Sequence, residues 1–206
     1  ERRPAIAALC AAQPCAAPVR ARSCPPRAAS PPPAMPTERW SIRIDKEYLK
    51  FSAAHFLIFP DGSAERLHGH NYRVTVRIDA RLSPHGLVLD FKQVKPVIRE
   101  LVDELDEHWL VPGEHPELRV VERADEHVEV HYRERRYAAP RADVIVLPIN
   151  NTSAENFAAL LGRRLRARLA ERFPDVWIRV LEVGVEETPG QRGVYEYSDL
   201  ERGPGD

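Results

Sequence analysis

The stretch Glu65-Arg66-Leu67-His68-Gly69-His70-Asn71-Tyr72-Arg73-Val74-Thr75-Val76-Arg77-Ile78-Asp79 decides the fold class. Within it, Tyr72, Val74, Val76 and Ile78 alternate with Arg73, Thr75, Arg77 and Asp79. That period of two is the signature of a strand with one buried face. His68 and His70 share the parity of Tyr72, so both imidazoles fall on the apolar side of the strand or its lead-in. Upstream, His55 ends the apolar run Leu49, Phe51, Ala53. An antiparallel neighbour would bring it to the pair. Three neutral imidazole nitrogens with a fourth position left open are the donor set of a catalytic zinc site. The plainer reading is three unrelated histidines near the end of a hairpin.

The pattern extends in both directions. Trp40, Ile42 and Ile44 alternate with Ser41, Arg43 and Asp45, a second half-buried strand. Residues 59–65 form a loop by composition, with Asp61-Gly62 as turn punctuation. After a turn at Ser83-Pro84-His85-Gly86, Asp90 is placed to cap a helix carrying Phe91, Val94, Val97, Ile98, Leu101, Val102 and Leu105. Residues 112–116 read as a loop. Two strand-like runs, 127–133 and 144–147, flank a polar middle. Thr152 and Glu155 have the spacing of a capping box. They open a helix with Phe157, Leu161, Leu165 and Leu169 on one stripe, ended by Pro174. Residues 176–185 read as a buried strand and 193–197 as a short last one. The order is two strands, a helix, an inserted strand pair, a helix and two strands. This predicts an α+β fold with an antiparallel sheet and its helices on one face.

Composition narrows the function classes. A net charge of -1 over 206 residues gives no electrostatic footprint for nucleic acid or an anionic membrane. No apolar run is long enough to span a bilayer. All three cysteines, Cys10, Cys15 and Cys24, lie in the first 34 residues, which excludes a disulfide, a thiolate ligand or a cysteine nucleophile from the rest. Those 34 residues include nineteen Ala or Pro and five Arg, with Glu1 as the one acid. They cannot bury enough apolar surface to fold, so we expect them to be disordered. An Arg-rich, acid-poor leader is also the composition of an organelle transit peptide. Met35 is the single methionine, and periodic sequence begins just after it. The expectation is a true start at Met35, one domain over 35–200 with an insertion at about 115–147, and a tail at 201–206.

Six segments together carry a resemblance: FSAAH (51–55), LHGHNY (67–72), LVLDFKQVK (87–95), LDEHWL (105–110), NTSAEN (151–156) and VEETPGQRGVY (185–195). They resemble the 6-pyruvoyl-tetrahydropterin synthase and 6-carboxy-tetrahydropterin synthase family, from about Ile42 to Tyr197. The resemblance implies a tunnelling fold: an antiparallel four-stranded sheet backed by two helices, here with an inserted strand pair. It implies a cytoplasmic homo-oligomer, usually a hexamer with active sites between subunits, acting on 7,8-dihydroneopterin triphosphate. It makes His55, His68 and His70 the zinc ligands. It makes Glu187, followed by Thr188, the anchor of the pterin ring through paired hydrogen bonds. Ser153 and Glu155 fall in its pocket segment. The plainer readings are a solvated strand end for Glu187 and an N-cap for Ser153.

Two departures from the family pattern bear on the reaction. The catalytic cysteine of many relatives falls at Ala64 here, and Glu65 stands three residues before His68. A subclass with glutamate at this position resembles enzymes that cleave the side chain of dihydroneopterin triphosphate to 6-hydroxymethyl-7,8-dihydropterin, where the carboxylate is a general base. The plainer reading is a surface glutamate in the charged loop from Asp61 to Arg66. The family's Asp-His relay pair falls at Asp106, but Glu107 intervenes before His108. We assign the relay to Asp106 and His108, with Glu107 as the alternative. His85, His115, His127 and His131 match no motif and are read as solvated. Three functions follow: the side-chain-cleaving lyase, a 6-carboxy- or 6-pyruvoyl-tetrahydropterin synthase, and an inert zinc- and pterin-binding relative.

Overall fold

The structure is a computed structural model and describes residues 38–199. The expectations for residues 1–34 and 201–206 lie outside the described residues.

Strand β1 (Trp40–His55) pairs antiparallel with β2 (His68–Ala80), and His55 stands directly opposite His68. The alternation read along β2 is borne out: Tyr72, Val74, Val76 and Ile78 are buried between less buried polar residues. The two runs expected upstream are one long strand, β1. Its register shifts between Asp45 and Lys50, which changes the buried parity from Ile44 to Leu49, Phe51, Ala53 and His55. Helix α1 (Phe91–Asp103) follows, with the Asp90 carboxylate accepting from the Lys92 N–H. Its apolar stripe is buried except at Phe91, which is 45% exposed at the helix start.

The chain then forms β3 (His108–Pro112), β4 (Leu118–Glu122), β5 (His127–Tyr132), β6 (Arg135–Pro140) and β7 (Val144–Leu147). Helix α2 (Ala154–Arg172) leads to β8 (Ile178–Thr188) and β9 (Gln191–Ser198). The main sheet has the order β7-β3-β1-β2-β8-β9.

The expected four-stranded antiparallel sheet is therefore corrected. Four antiparallel strands are present, β1-β2-β8-β9, but β3 and β7 extend the β1 edge in parallel. Parallel pairing needs a crossover: α1 lies on the one that leads to β3, and β4, β5 and β6 form the one from β3 to β7. The hook is at Glu107, whose φ of 58° turns the chain and whose N–H donates to the Ser52 carbonyl. The inserted strand pair is also corrected. The insertion is a three-stranded antiparallel sheet, β4-β5-β6, and the run at 144–147 belongs to the main sheet as β7.

Two apolar cores result. One face of the main sheet meets both helices through Tyr72, Val74, Val76, Leu181, Val183 and Val185, against Val94, Ile98 and Leu101 of α1 and Phe157, Leu161 and Leu165 of α2. A second cluster joins Phe56, Ile58, Trp109, Val111 and Val144 to Leu118, Val128, Val130 and Tyr132 of the small sheet. On β3, Leu110 belongs to the first core and Trp109 and Val111 to the second. Since strand side chains alternate, the small sheet covers the face opposite the helices at the β3–β7 end. The capping box is corrected as well. Ser153, not Thr152, caps α2 by accepting from the Asn156 N–H, while the Thr152 hydroxyl donates to the Phe56 carbonyl at 2.8 Å.

Candidate metal centre and active site

The register of β1 and β2 builds the centre. His55 and His68 are cross-strand partners, and His70 lies two residues along β2 on the same side. Among the described residues, these three histidines are the group whose ligand atoms converge, all within 4.8 Å of one another. His68 Nε2 lies 3.0 Å from His70 Nε2.

The outer nitrogens are held from behind. His55 Nδ1 is 3.0 Å from the Thr152 carbonyl, and His68 Nδ1 is 2.7 Å from the Arg66 carbonyl. A carbonyl only accepts, so each Nδ1 carries the proton and each Nε2 presents its lone pair. This is the outer-shell arrangement that orients metal-bound imidazoles. His55 is fully buried, and desolvation lowers its pKa below 6.5 against the opposing pull of the Thr152 carbonyl and Glu187. A neutral imidazole is what a divalent cation requires. The donor set and its support thus fit a metal ion of the zinc class.

Two groups adjoin the triad. Glu187 Oε1 lies 3.2 Å from His55 Nε2 and 3.6 Å from His70 Nε2. The Tyr72 hydroxyl is 2.9 Å from His55 Nε2 and donates to Glu187 Oε1 at 3.0 Å. Burial, followed by the Glu187 charge, raises the Tyr72 pKa, so the phenol stays a donor. Strand alternation separates the two adjacent glutamates. Glu186 pairs with Arg192 at 2.7 Å, while Glu187 reaches the histidines.

Glu65 sits at the rim. Its Oε2 is 3.8 Å from His68 Nε2 and accepts from the Leu57 N–H at 3.2 Å. A cleft of about 530 Å³ opens beside His70 and is lined also by Ser52, Asn71, Glu107, His108 and Trp109. His108 thus borders the same space as one histidine of the triad. Asp106 does not line it: its Oδ1 accepts from the Ser52 N–H at 2.7 Å, which ties the turn before β3 to β1. A second cleft of about 330 Å³ is lined by Glu187, Thr188, Asn71, Lys50 and Arg73. Thr188 closes the β8–β9 turn through Gln191 at 3.0 Å. Ser153 is the helix cap, and Glu155 is exposed in the first turn of α2.

Four residues of this neighbourhood escaped the sequence reading. Tyr72 could have been found, because it shares the parity of both histidines. Thr152 was read as a helix cap and Asn151 as part of the segment before α2, neither as a support of the triad, and Arg135 gave no signal. Asn151 accepts from the Ile58 N–H and donates to the Ile58 carbonyl, so it staples the entry to α2 onto the loop after His55. The unassigned His131 is not free in solvent: it contacts Glu129 at 3.1 Å.

Comparison with known proteins agrees with this picture. The family model for 6-pyruvoyl tetrahydropterin synthase matches residues 43–198. A putative 6-carboxy-5,6,7,8-tetrahydropterin synthase from Methanocaldococcus jannaschii is 34% identical over 150 residues, covering 71% of this chain and 89% of that protein. The crystal structure of 6-pyruvoyl tetrahydropterin synthase from Plasmodium vivax superposes with a TM-score of 0.73 at 25% identity, covering 79% of this chain and 100% of that one. A further structure of the Plasmodium vivax protein, altered at a catalytic glutamate, superposes with a TM-score of 0.71 at 24% identity.

Proposed function

Because the chain belongs to the 6-pyruvoyl tetrahydropterin synthase family, we propose that it is a zinc-dependent lyase cleaving the side chain of 7,8-dihydroneopterin triphosphate to 6-hydroxymethyl-7,8-dihydropterin. One observation carries this choice within the family. Glu65 stands 3.8 Å from a histidine of the triad, and the chain has no cysteine beyond Cys24.

When bound at His55, His68 and His70, zinc supplies Lewis acidity that lowers the pKa of a substrate hydroxyl. The chain's own groups do the rest. Glu187 accepts hydrogen bonds from the pterin edge and fixes its orientation, with Thr188 beside it and Ser153 and Glu155 at the mouth of α2. Glu65 takes the proton of the hydroxyl on the second side-chain carbon. The bond between the first and second carbons breaks, and its electron pair stays on the first, conjugated with the ring. That carbon takes up a proton to become the hydroxymethyl group, and a two-carbon aldehyde leaves with the triphosphate. His108, whose Nδ1 faces the Asp106 backbone carbonyl at 2.5 Å, serves as the proton relay in the cleft beside His70, with the Asp106 carboxylate holding the turn that carries it.

A second reading keeps the site and changes the product. The Methanocaldococcus jannaschii relative is named a putative 6-carboxy-5,6,7,8-tetrahydropterin synthase, which favours synthase chemistry with Glu65 in the role that relatives give a cysteine. Among the described residues no strand pairs beyond β7 or β9, on which Val146 is 38% and Val194 52% exposed; these edges support a homo-oligomer, which we read as a hexamer.

The deciding experiment gives zinc-loaded protein dihydroneopterin triphosphate and identifies products by mass. Hydroxymethyl-dihydropterin is expected. A carboxy- or pyruvoyl-tetrahydropterin would move the assignment to the second reading, and tight pterin binding without turnover would leave an inert relative.

A further inference from the structure

The three-stranded insertion takes no part in the chemistry above, yet its side chains reach the loop that carries Glu65. That loop, residues 56–67, leaves His55 and returns at His68. Internally it is a tight hairpin. The Phe59 N–H donates to the Ser63 carbonyl and the Gly62 N–H to the Phe59 carbonyl, each at 2.8 Å, and Ile58 bridges Ala64. Glu65 bonds Leu57 twice, through its own N–H and through Oε2.

The insertion grips the same backbone from outside. The Arg135 guanidinium of β6 donates to the Ala64 carbonyl at 2.7 Å and to the Glu65 carbonyl. The Tyr132 hydroxyl of β5, on a residue 2% exposed, donates to the Gly62 carbonyl at 2.8 Å. Gly62 has a φ of +78°, and a Cβ added there would fall 1.7 Å from Arg133 Nη2. Phe56 stacks on Tyr137 with ring centroids 5.5 Å apart. A planar guanidinium that spans two successive carbonyls fixes both the position and the tilt of the peptide between them. That peptide is the one from which the Glu65 side chain springs.

We propose that the insertion is a clamp that sets where Glu65 stands beside His68, with Arg135 and Tyr132 as positioning residues. The clamp itself is independent of the lyase reading; its effect on turnover rests on that reading.

The test compares Arg135→Met, which keeps the aliphatic stem, with Arg135→Lys and with the milder Tyr132→Phe. Amide hydrogen exchange over residues 56–67, bound zinc, kcat and KM are measured for each. In Arg135→Met, exchange over 56–67 should quicken about tenfold, as expected for losing charge-assisted hydrogen bonds. Peptides from β1 and β2 and the zinc content should not change. The kcat should fall on the order of 10–100-fold, the effect of a displaced catalytic group, with KM within about twofold. Arg135→Lys should recover part of both effects. Unchanged exchange over 56–67 in both Arg135→Met and Tyr132→Phe would overturn the clamp. Faster exchange with an unchanged kcat would overturn the positioning role. If the wild-type protein fails to cleave dihydroneopterin triphosphate, the lyase reading fails, and exchange alone decides the clamp.

Discussion

Replacing Thr152 by Val separates the support of the metal centre from the packing around it. Thr152 is fully buried, its hydroxyl donates to the Phe56 carbonyl at 2.8 Å, and its own carbonyl faces His55 Nδ1 at 3.0 Å. Val has nearly the same shape, so no cavity opens. What is lost is one hydrogen bond, and what is left is a stranded carbonyl, a cost of about 1–3 kcal/mol. The peptide that orients His55 also loses its tether, which should weaken zinc binding about tenfold, the low end for outer-shell partners. Thr152→Ser does the opposite. It keeps the hydroxyl and deletes a methyl, so it should cost about 1 kcal/mol of stability with wild-type zinc affinity. Urea denaturation of metal-free protein gives the first quantity, and competition with a chromophoric chelator gives the second. A Val variant with wild-type zinc affinity would refute the tether. So would a Ser variant that loses as much affinity as Val.

Three further outcomes follow from the site. His70→Ala should not retain zinc through dialysis, and stoichiometric metal in that variant would remove His70 from the ligand set. Glu65→Gln keeps an acceptor for the Leu57 N–H, so zinc should stay while turnover falls about 10²–10⁴-fold, the range for a lost general base; full activity would exclude Glu65 from the chemistry. The third concerns pH. Burial holds the His55 pKa below its ordinary 6.5. Below pH 6.5 the unfolded chain takes up a proton that the metal-free folded chain refuses, so this contribution is complete above 6.5 and is lost as pH falls toward the folded-state value. The Tm of chelator-treated protein should therefore decline from near pH 6.5 downward, and a flat Tm over that range would contradict the neutral burial of His55.

The parts of the fold that could be read were those with one wet and one dry face. β2 alternates because its polar side chains stay accessible, and the stripes of α1 and α2 repeat because one side of each meets the sheet. β3 was invisible for the converse reason. Trp109, Leu110, Val111 and Pro112 are all buried, since helices cover one face and the small sheet the other, so no alternation remains. β4 and β6 are short and half-wetted, and their pairing partners lie in a sheet that local pattern does not announce. The histidine triad was legible from parity alone. The residues that hold it were not, because Thr152 and Arg66 act through backbone carbonyls, which leave no mark on the side-chain sequence. Thr152 and Ser153 are both good helix caps. The choice between them was made by the Phe56 carbonyl, a contact 96 residues away.

The place of β1 and β2 in the middle of the main sheet has a consequence for how the chemistry can be altered. Strands with neighbours on both sides come apart only when the whole domain does. The three histidines are borne by these strands, while Glu65 is carried by a surface loop whose two ends are already joined by the pairing of His55 with His68. The hairpin tip from Phe59 to Glu65 can therefore be rewritten without moving the imidazoles so long as the Phe56 and Arg66 carbonyls keep their places, because the spacing of the histidines is fixed by the ladder and their orientation by those two carbonyls. The position of the Glu65 carboxylate is thus more freely mutable in this scaffold than the histidine triad, within the tip of a hairpin whose two ends are held.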